Sequence, residues 1–272
     1  MDSRAASPRC GIWESTARCA QMNAPFRHRT EAGETLARML MHLAGREDLI
    51  VLALPHGGVP VALEVARVLG SPLDVALVQP VLHAMGPPRR EVTLGWLGYP
   101  AASQLHDATI NALNLSDEEL GQAISRARRQ LRQRVRALRP GAPVASLEGR
   151  TVVVVDDGSA AGVALRRAAG LLRRAGARAL VAAVPVASEE ALRLLDGEFE
   201  ELVCCHRPEP FVSIASGYVS HPGVTDAEVR ALLARAWDSQ ARPPPEPTGL
   251  SSSNARHMYQ LATERHGRHR SP

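Results

Sequence analysis

Two adjacent carboxylates follow the most apolar stretch of this chain. Residues 152–155 are four consecutive valines, and Asp156 and Asp157 come directly after them. A short apolar run closed by polar residues is typical of a strand buried on both faces. Carboxylates at such a strand end can accept hydrogen bonds from ribose hydroxyls, or they can bind a divalent cation directly or through water. An acidic pair in this position can also simply cap the following helix, and that alternative stays open.

Small residues follow the two acids and lead into a predicted helix. The amide groups of such a turn, together with the helix dipole, can hold a phosphate group. The candidate phosphate-binding residues are Gly158, Ser159, Ala160, Ala161 and Gly162.

A second glycine-bearing turn ends another apolar run. Residues 49–54 are apolar throughout and are followed by Pro55, His56, Gly57 and Gly58. Glycines there allow close backbone approach to a ligand, although a plain tight turn explains them equally well. In a parallel sheet, both turns would lie at the same edge, beyond the carboxyl ends of the strands.

The basic residues exclude several mechanisms. The chain contains no lysine, so a Schiff-base lysine, a P-loop lysine and a lysine general base are all excluded. The formal charge of +4 is too small to indicate nucleic-acid binding. One predicted helix is rich in arginine, and we interpret it as a solvated helix with arginines on several faces. Those residues are Arg126, Arg128, Arg129, Arg132, Arg134 and Arg136.

Strands and helices alternate through the chain, which predicts an α/β fold with a doubly wound parallel sheet. Strands are expected at 49–54, 73–78, 151–155, 179–184 and 202–205. Helices are expected from Thr30, at 59–69, 116–138, 163–174, 188–195 and 225–237, two of them opened by capping boxes (Ser116 with Glu119, Thr225 with Glu228).

Three segments do not fit this alternation. Residues 1–25 have no periodicity and are interpreted as a flexible leader. Residues 79–115 are rich in proline and glycine and predict a long functional loop or a small subdomain. Residues 241–272 form a proline-rich linker and a polar tail that we expect to be disordered. The folded domain is then 26–240.

The composition indicates a soluble protein in a reducing compartment. Hydrophobic residues make up 45% of the chain, yet no apolar run approaches the roughly 20 residues of a membrane span. No signal peptide is visible, and Cys204 and Cys205 lie in an apolar run as expected of reduced, strand-borne thiols. We expect a cytoplasmic protein.

Taken together, these motifs resemble the type I phosphoribosyltransferases, with a hood formed by loop and helix insertions. The similarity is to a bacterial subfamily found alone or fused to hydrolase-like domains, and it covers about residues 26–235. Six motifs occur in the family's order: Phe26 with Arg29, Glu31, Ala32, Gly33, Leu36 and Ala37; 55–62; 73–75; 155–158; 183–187; and Phe211 with Tyr218, Thr225 and Asp226.

The resemblance implies transfer of the 5-phosphoribosyl group from phosphoribosyl pyrophosphate (PRPP) to a nitrogen base, with Mg²⁺ as cofactor, as part of nucleotide metabolism. Asp156 and Asp157 would be the catalytic and Mg²⁺-binding residues. The loop after the first strand, with His56, Gly57 and Gly58, would bind pyrophosphate, and Phe211 and Tyr218 would be hood positions able to stack on a base. The expected partners are a phosphoribosyl substrate and a base, with neither membrane nor nucleic acid, and a homodimer is compatible with the family.

The chain departs from the family pattern around the ligand. Ala161 and Ala164 replace threonines that help to hold the 5-phosphate, His56 replaces an arginine, and Gln79 and Pro80 replace a basic pair. Each lost bond to a charged group is worth roughly 1.5–3 kcal/mol, so binding is expected to be weakened and turnover could be absent. The alternatives are therefore a non-catalytic sensor of a nucleotide or phosphoribosyl ligand, and an arginine-driven nucleic-acid binder.

Overall fold

The computed structural model describes residues 17–19, 25–86, 90–100, 102–140 and 145–241, with side chains described from residue 25 to residue 238. Residues up to Trp237 form one compact unit, and Asp238–Pro272 forms a second, of which only the end of a helix is described. The expected linker and tail therefore lie outside the described residues, apart from Ala241. No helix in the described part of the chain is long and apolar enough to cross a membrane.

A six-stranded parallel sheet forms the centre of the molecule, as predicted. Its strands are β1 (Ala17–Cys19), β2 (Leu49–Ala53), β3 (Leu73–Val75), β7 (Thr151–Val155), β8 (Ala179–Val186) and β9 (Glu201–His206), in the order β1-β9-β8-β7-β2-β3. Every residue of β2 and β7 is buried, which explains why β2 is apolar throughout and β7 is apolar after Thr151. The strand β1 lies in the segment interpreted as a leader and was not expected; it pairs with β9.

Helices cover both faces of this sheet. They are α1 (Arg29–Met39), α2 (Gly58–Leu69), α5 (Val163–Arg174), α6 (Glu189–Leu195) and α7 (Asp226–Ala241). Two further helices, a short α3 (Asp107–Ala112) and α4 (Asp117–Leu138), pack mainly against residues 77–99. Alternate residues of β2 point to opposite faces: Val51 packs with α1, α2 and α7, whereas Leu52 packs with α5 and α6. The doubly wound fold is thus confirmed, and both capping boxes form as predicted.

Residues 77–105 form a second, antiparallel sheet that the sequence did not predict as strands. It consists of β4 (Leu77–Met85), β5 (Arg90–Tyr99) and β6 (Ala102–Leu105). Val81, Leu94 and Leu97 of this sheet pack against Ala123 and Ala127 of α4 in a hydrophobic cluster of their own. The sequence predicts a long loop or a small subdomain for this region and misses its three strands, which belong to the same compact unit as the central sheet.

The strand expected at 73–78 is divided between the two sheets. β3 ends at Val75, Ala76 still donates its amide to Ala53, and Leu77 begins β4. An apolar run gives no signal for such a change of sheet, because both halves are buried.

Candidate active site

The acidic pair and the two glycines come together at one edge of the parallel sheet. Asp156 and Asp157 follow β7, and the turn at 55–58 follows the neighbouring strand β2. A side chain at position 57 would collide with the Asp157 carboxylate, and one at position 58 would lie 2.8 Å from the Val155 carbonyl oxygen. Glycine is therefore required at both positions for the turn to approach the acids. The Pro55–His56 peptide within this turn is cis.

Asp157 is held inside the protein by a basic clamp. Its Oδ2 atom accepts hydrogen bonds from Arg29 Nε and lies 2.8 Å from Arg29 Nη2 and from His221 Nε2. Arg29 also donates through Nη1 to the Pro222 carbonyl at 2.7 Å, and the Tyr218 hydroxyl donates to the Asp157 carbonyl. We call Arg29, Tyr218 and His221 the Asp157 clamp. It ties α1 and the loop before α7 to the acidic turn.

Asp156 has a different environment. Its Oδ1 accepts the Asp157 amide at 2.9 Å, and its side chain is partly exposed at the sheet edge. Desolvation, followed by the charge of Asp157, raises the pKa of Asp156 well above its usual value. The charged form of Asp156 is therefore less favoured than that of an exposed carboxylate, and a cation bound beside it would favour that charged form.

The loop 158–162 combines internal anchors with free amides. The Ser159 amide donates to the Val186 carbonyl at 2.8 Å, and the Gly162 amide donates to Ser159 Oγ at 3.2 Å. Within the described residues, the amides of the exposed Ala160 and Ala161 have no acceptor. Gly162, at φ +71°, then turns the chain into α5. Of the amides expected to hold a phosphate, Ser159 and Gly162 are thus already engaged, whereas Ala160 and Ala161 remain available.

His56 contacts a carboxylate beside a cavity. Its Nε2 lies 2.6 Å from Asp226 Oδ1 at the start of α7. Both side chains line a cavity of about 340 Å³, whose other wall is the C-terminal half of α4. His56 therefore faces solvent at the candidate site, but a carboxylate stands beside it.

The two aromatic hood candidates differ. Tyr218 is 6% exposed, and its ring packs on Phe26 and His221 at centroid distances of 5.8 and 4.9 Å. Stacking of Tyr218 on a base is therefore wrong for this structure, because the ring is in the core and its hydroxyl is used by Asp157. Phe211 is partly exposed in the loop after β9, whose Ile214 lies over Gly158. Phe211 therefore remains a candidate for stacking on a base.

Gln79 and Pro80 lie in β4, in the antiparallel sheet, and not in a loop at the end of β3. The Gln79 side chain is turned to α4, where its Nε2 donates to Gln130 Oε1 at 3.0 Å. Arg134 of the same helix donates through Nη1 to the Val78 carbonyl at 3.1 Å. The strand backbone and Gln79 are thus covered by α4.

Sequence reasoning missed the role of two clamp residues. Arg29 was noted only as part of a motif, because it lies 128 residues from Asp157 in the sequence. His221 was not noted at all. A buried arginine in an otherwise apolar helix face is the signal that could have indicated an acidic partner.

The arginines of α4 were expected on several faces, but three of them share one. Arg128, Arg132 and Arg136 are spaced four residues apart and are all exposed, so they form a single stripe along α4. A contiguous basic face is what the nucleic-acid alternative requires, and it can be tested directly.

The two carboxylates of the site, Asp156 and Asp157, suit Mg²⁺ binding only in part. Among the described residues there is no group of three or more His, Cys, Asp or Glu side chains that could hold a metal ion. Mg²⁺ is commonly bound by one or two carboxylates together with phosphate oxygens of a substrate. Asp156 fits that arrangement, whereas Asp157 Oδ2 is already saturated by the clamp.

Comparisons with known proteins found both a sequence relative and a solved structure that are similar to this chain. No protein-family model matches the chain. The chain is 34% identical over 211 residues to a Mycobacterium tuberculosis protein named "putative phosphoribosyl transferase" in strains H37Rv and CDC 1551, covering 78% of this chain and 47% of the relative. It thus spans about half the length of these curated relatives. The crystal structure of TT1426 from Thermus thermophilus matches with 39% identity and a TM-score of 0.65, covering 78% of this chain and 98% of that one.

Proposed function

Since this chain belongs to the type I phosphoribosyltransferase family, we propose that it binds PRPP or a nucleoside 5′-monophosphate at the carboxyl edge of its parallel sheet. If it is catalytically competent, it transfers the 5-phosphoribosyl group to a nitrogen base and releases pyrophosphate.

One observation supports this proposal above the others. The Gly57–Gly58 turn, the acidic pair and the free amides of Ala160 and Ala161 surround a single stretch of the sheet edge. The three groups suit the pyrophosphate, the ribose and the 5-phosphate of one ligand.

The donors proposed to bind the 5-phosphate of the ligand are uncharged. The amides of Ala160 and Ala161, next to the amino-terminal end of α5, place partial positive charge where an anion can accept hydrogen bonds. Ser188 fixes this loop, because its amide donates to the Ser159 carbonyl at 3.0 Å and its hydroxyl to the Ala160 carbonyl. The loop is therefore organised before a ligand binds.

The ribose end is served by Asp156. An ionised carboxylate there accepts from ribose hydroxyls and stabilises positive charge that develops at the anomeric carbon as pyrophosphate leaves. Bound Mg²⁺ would neutralise charge on the leaving pyrophosphate, with Asp156 as its protein ligand. Asp157 acts differently in this proposal: it holds the turn in place through the clamp and does not contact the ligand through Oδ2.

Calorimetric titration of the full chain with PRPP and Mg²⁺ tests the proposal. Wild-type protein should bind, Asp156→Asn should bind at least about tenfold more weakly, and Asp117→Asn, at the exposed start of α4, should bind as wild type does. Equal affinity of Asp156→Asn and wild type would contradict the site assignment.

A pyrophosphate-release assay with a panel of nitrogen bases separates the enzyme from a sensor. Ala161 and Ala164 lack the hydroxyls that would strengthen phosphate binding, and this favours the sensor as the second candidate. Binding without pyrophosphate release on any base would indicate the sensor. Salt-dependent binding of a labelled oligonucleotide, lost in an Arg128→Gln, Arg132→Gln, Arg136→Gln variant, would instead indicate the nucleic-acid alternative.

A further inference from the structure

Arg134 of α4 is a cation without a carboxylate partner at the edge of the candidate site. Its Nη1 donates to the Val78 carbonyl at 3.1 Å and faces Gln79 Oε1 at 3.5 Å. In the described part of the chain, no acceptor is bound to its Nε or Nη2, and no carboxylate forms an ion pair with it. One side of the guanidinium is thus fixed to β4, and the other donors are free.

Those free donors belong to a residue that lines the His56 cavity. Arg134, His56 and Asp226 surround the same space of about 340 Å³. Asp226 Oδ1 lies 2.6 Å from His56 Nε2, and among the described residues Asp226 forms no ion pair with Arg134. The cavity adjoins the 55–58 turn, next to Gly57, which lies against the Asp157 carboxylate.

The surroundings of Gln79 explain why the positive charge at the cavity comes from a helix residue. Gln79 is 9% exposed and bonded to Gln130, so the strand itself presents no charge to the cavity. Arg134 lies one helical turn beyond Gln130 and covers the strand backbone at Val78. A positive charge therefore reaches this region from α4, although the strand carries none.

We propose that Arg134 binds the pyrophosphate group of the phosphoribosyl ligand, together with the 55–58 turn, and that Asp226 opposes this binding. The inference rests on the proposed function and adds a residue to it. A planar guanidinium with free Nε and Nη donors can form paired hydrogen bonds to phosphate oxygens, whereas a carboxylate in the same cavity repels them.

The test compares two probes on the full-length chain. Inorganic pyrophosphate with Mg²⁺ reports the proposed Arg134 contact, and ribose 5-phosphate reports the loop 158–162. Arg134→Gln should weaken pyrophosphate binding about tenfold or more and leave ribose 5-phosphate binding unchanged. Arg134→Lys should retain part of the affinity, since it keeps the charge and loses the paired geometry. Asp226→Asn should tighten pyrophosphate binding a few-fold.

Arg126→Gln is the matched control, because Arg126 is exposed on the same helix and does not line the cavity. It should bind both probes as wild type does, and circular dichroism should show all variants folded. Unchanged pyrophosphate affinity in Arg134→Gln, or equal loss for both probes, would overturn the proposal for Arg134. If wild type binds ribose 5-phosphate but not pyrophosphate, Arg134 has no such role while the phosphoribosyl site stands. If wild type binds neither these probes nor PRPP, the proposed function itself fails.

Discussion

At the residue scale, the two neighbouring aspartates have opposite effects on the stability of the fold. Asp157 is paired with Arg29 and His221, whereas Asp156 is desolvated beside another carboxylate. Replacement of Asp157 by a neutral residue therefore leaves Arg29 buried without its anionic partner.

We therefore expect Asp157→Asn to destabilise the protein by about 3 kcal/mol, the usual cost of breaking a buried pair from one side. For a chain of this size that corresponds to a fall in melting temperature of roughly 6–12 °C. Differential scanning calorimetry without ligand measures it, with Asp117→Asn as the exposed control. A melting temperature within a degree of wild type would mean that the clamp contributes little.

Asp156→Asn should instead raise the melting temperature of the metal-free protein. The raised pKa of Asp156 means that the unfolded state releases this proton at lower pH than the folded state does. Stability is therefore lost as pH rises from the unfolded pKa, about 4, through the folded one. The gain from Asp156→Asn should be small near pH 4 and grow toward neutral pH. Calorimetric melts across this range measure the trend, and a gain that shrinks as pH rises would contradict it.

Ala161→Thr should tighten ribose 5-phosphate binding. Ala161 is exposed in the loop with free amides, so a hydroxyl there can reach the same phosphate. A bond to a charged group is worth roughly 1.5–3 kcal/mol, which is about tenfold or more in affinity. Titration of this variant beside Ala112→Thr, an exposed alanine on α3, isolates the effect. Identical affinities in the two variants would show that position 161 does not face the ligand.

At the element scale, a buried ion pair joins the antiparallel sheet to the parallel one. Arg139, at the end of α4, pairs with Asp74 of β3 at 2.8 Å, and both side chains are less than 5% exposed. The guanidinium also lies over the rings of Tyr99 in β5 and Trp237 in α7, at 5.0 and 5.5 Å from their centroids. Desolvation raises the pKa of Asp74, and burial raises that of Tyr99 to about 12. Four elements thus meet at one arginine.

Arg139→Met should cost about 3 kcal/mol, because it leaves the Asp74 carboxylate buried without its cationic partner. The double variant Asp74→Leu, Arg139→Met should cost less than Arg139→Met alone, since the unpaired carboxylate is then gone. Urea denaturation of both variants measures the difference. A double variant that is less stable than the single one would show that packing, and not the charge, dominates at this position.

The elements that could be predicted from the sequence are those with local signals. β2 and β7 are apolar runs closed by polar turns, and α4 begins with a capping box, so each was expected within a few residues. β4 was missed because Pro80 stands in its middle and apolar residues do not alternate along it. β1 was missed because three residues carry no periodicity, and β9 supplies the pairing.

The residues of the candidate site also fall into those with a local sequence signal and those without one. The acidic pair and the glycines could be predicted from their spacing, since each motif is contiguous. The contacts that distinguish Asp156 from Asp157 could not, because Arg29 and His221 come from distant parts of the chain. Arg134 was noted only as one arginine of a solvated helix; its position beside His56 depends on how α4 packs on β4.

At the scale of the whole molecule, removal of residues 243–272 should leave stability unchanged. α7 ends at Ala241, and its Trp237 already donates Nε1 to the Leu73 carbonyl at 3.0 Å. Truncation after Arg242 keeps that contact, and the removed segment begins with a proline run and contains few apolar residues. Thermal melts of the two forms measure the difference. A fall of several degrees would show that the tail packs on the domain.

The segment from β4 to α4 has a consequence for how proteins of this kind diversify. It leaves the parallel sheet after β3, returns to it at β7, and has its own hydrophobic cluster. Substitutions and length changes inside it can therefore accumulate without disturbing the central sheet or the acidic turn. Such a segment can therefore be exchanged between relatives as a unit, while the central sheet and the acidic turn stay in place.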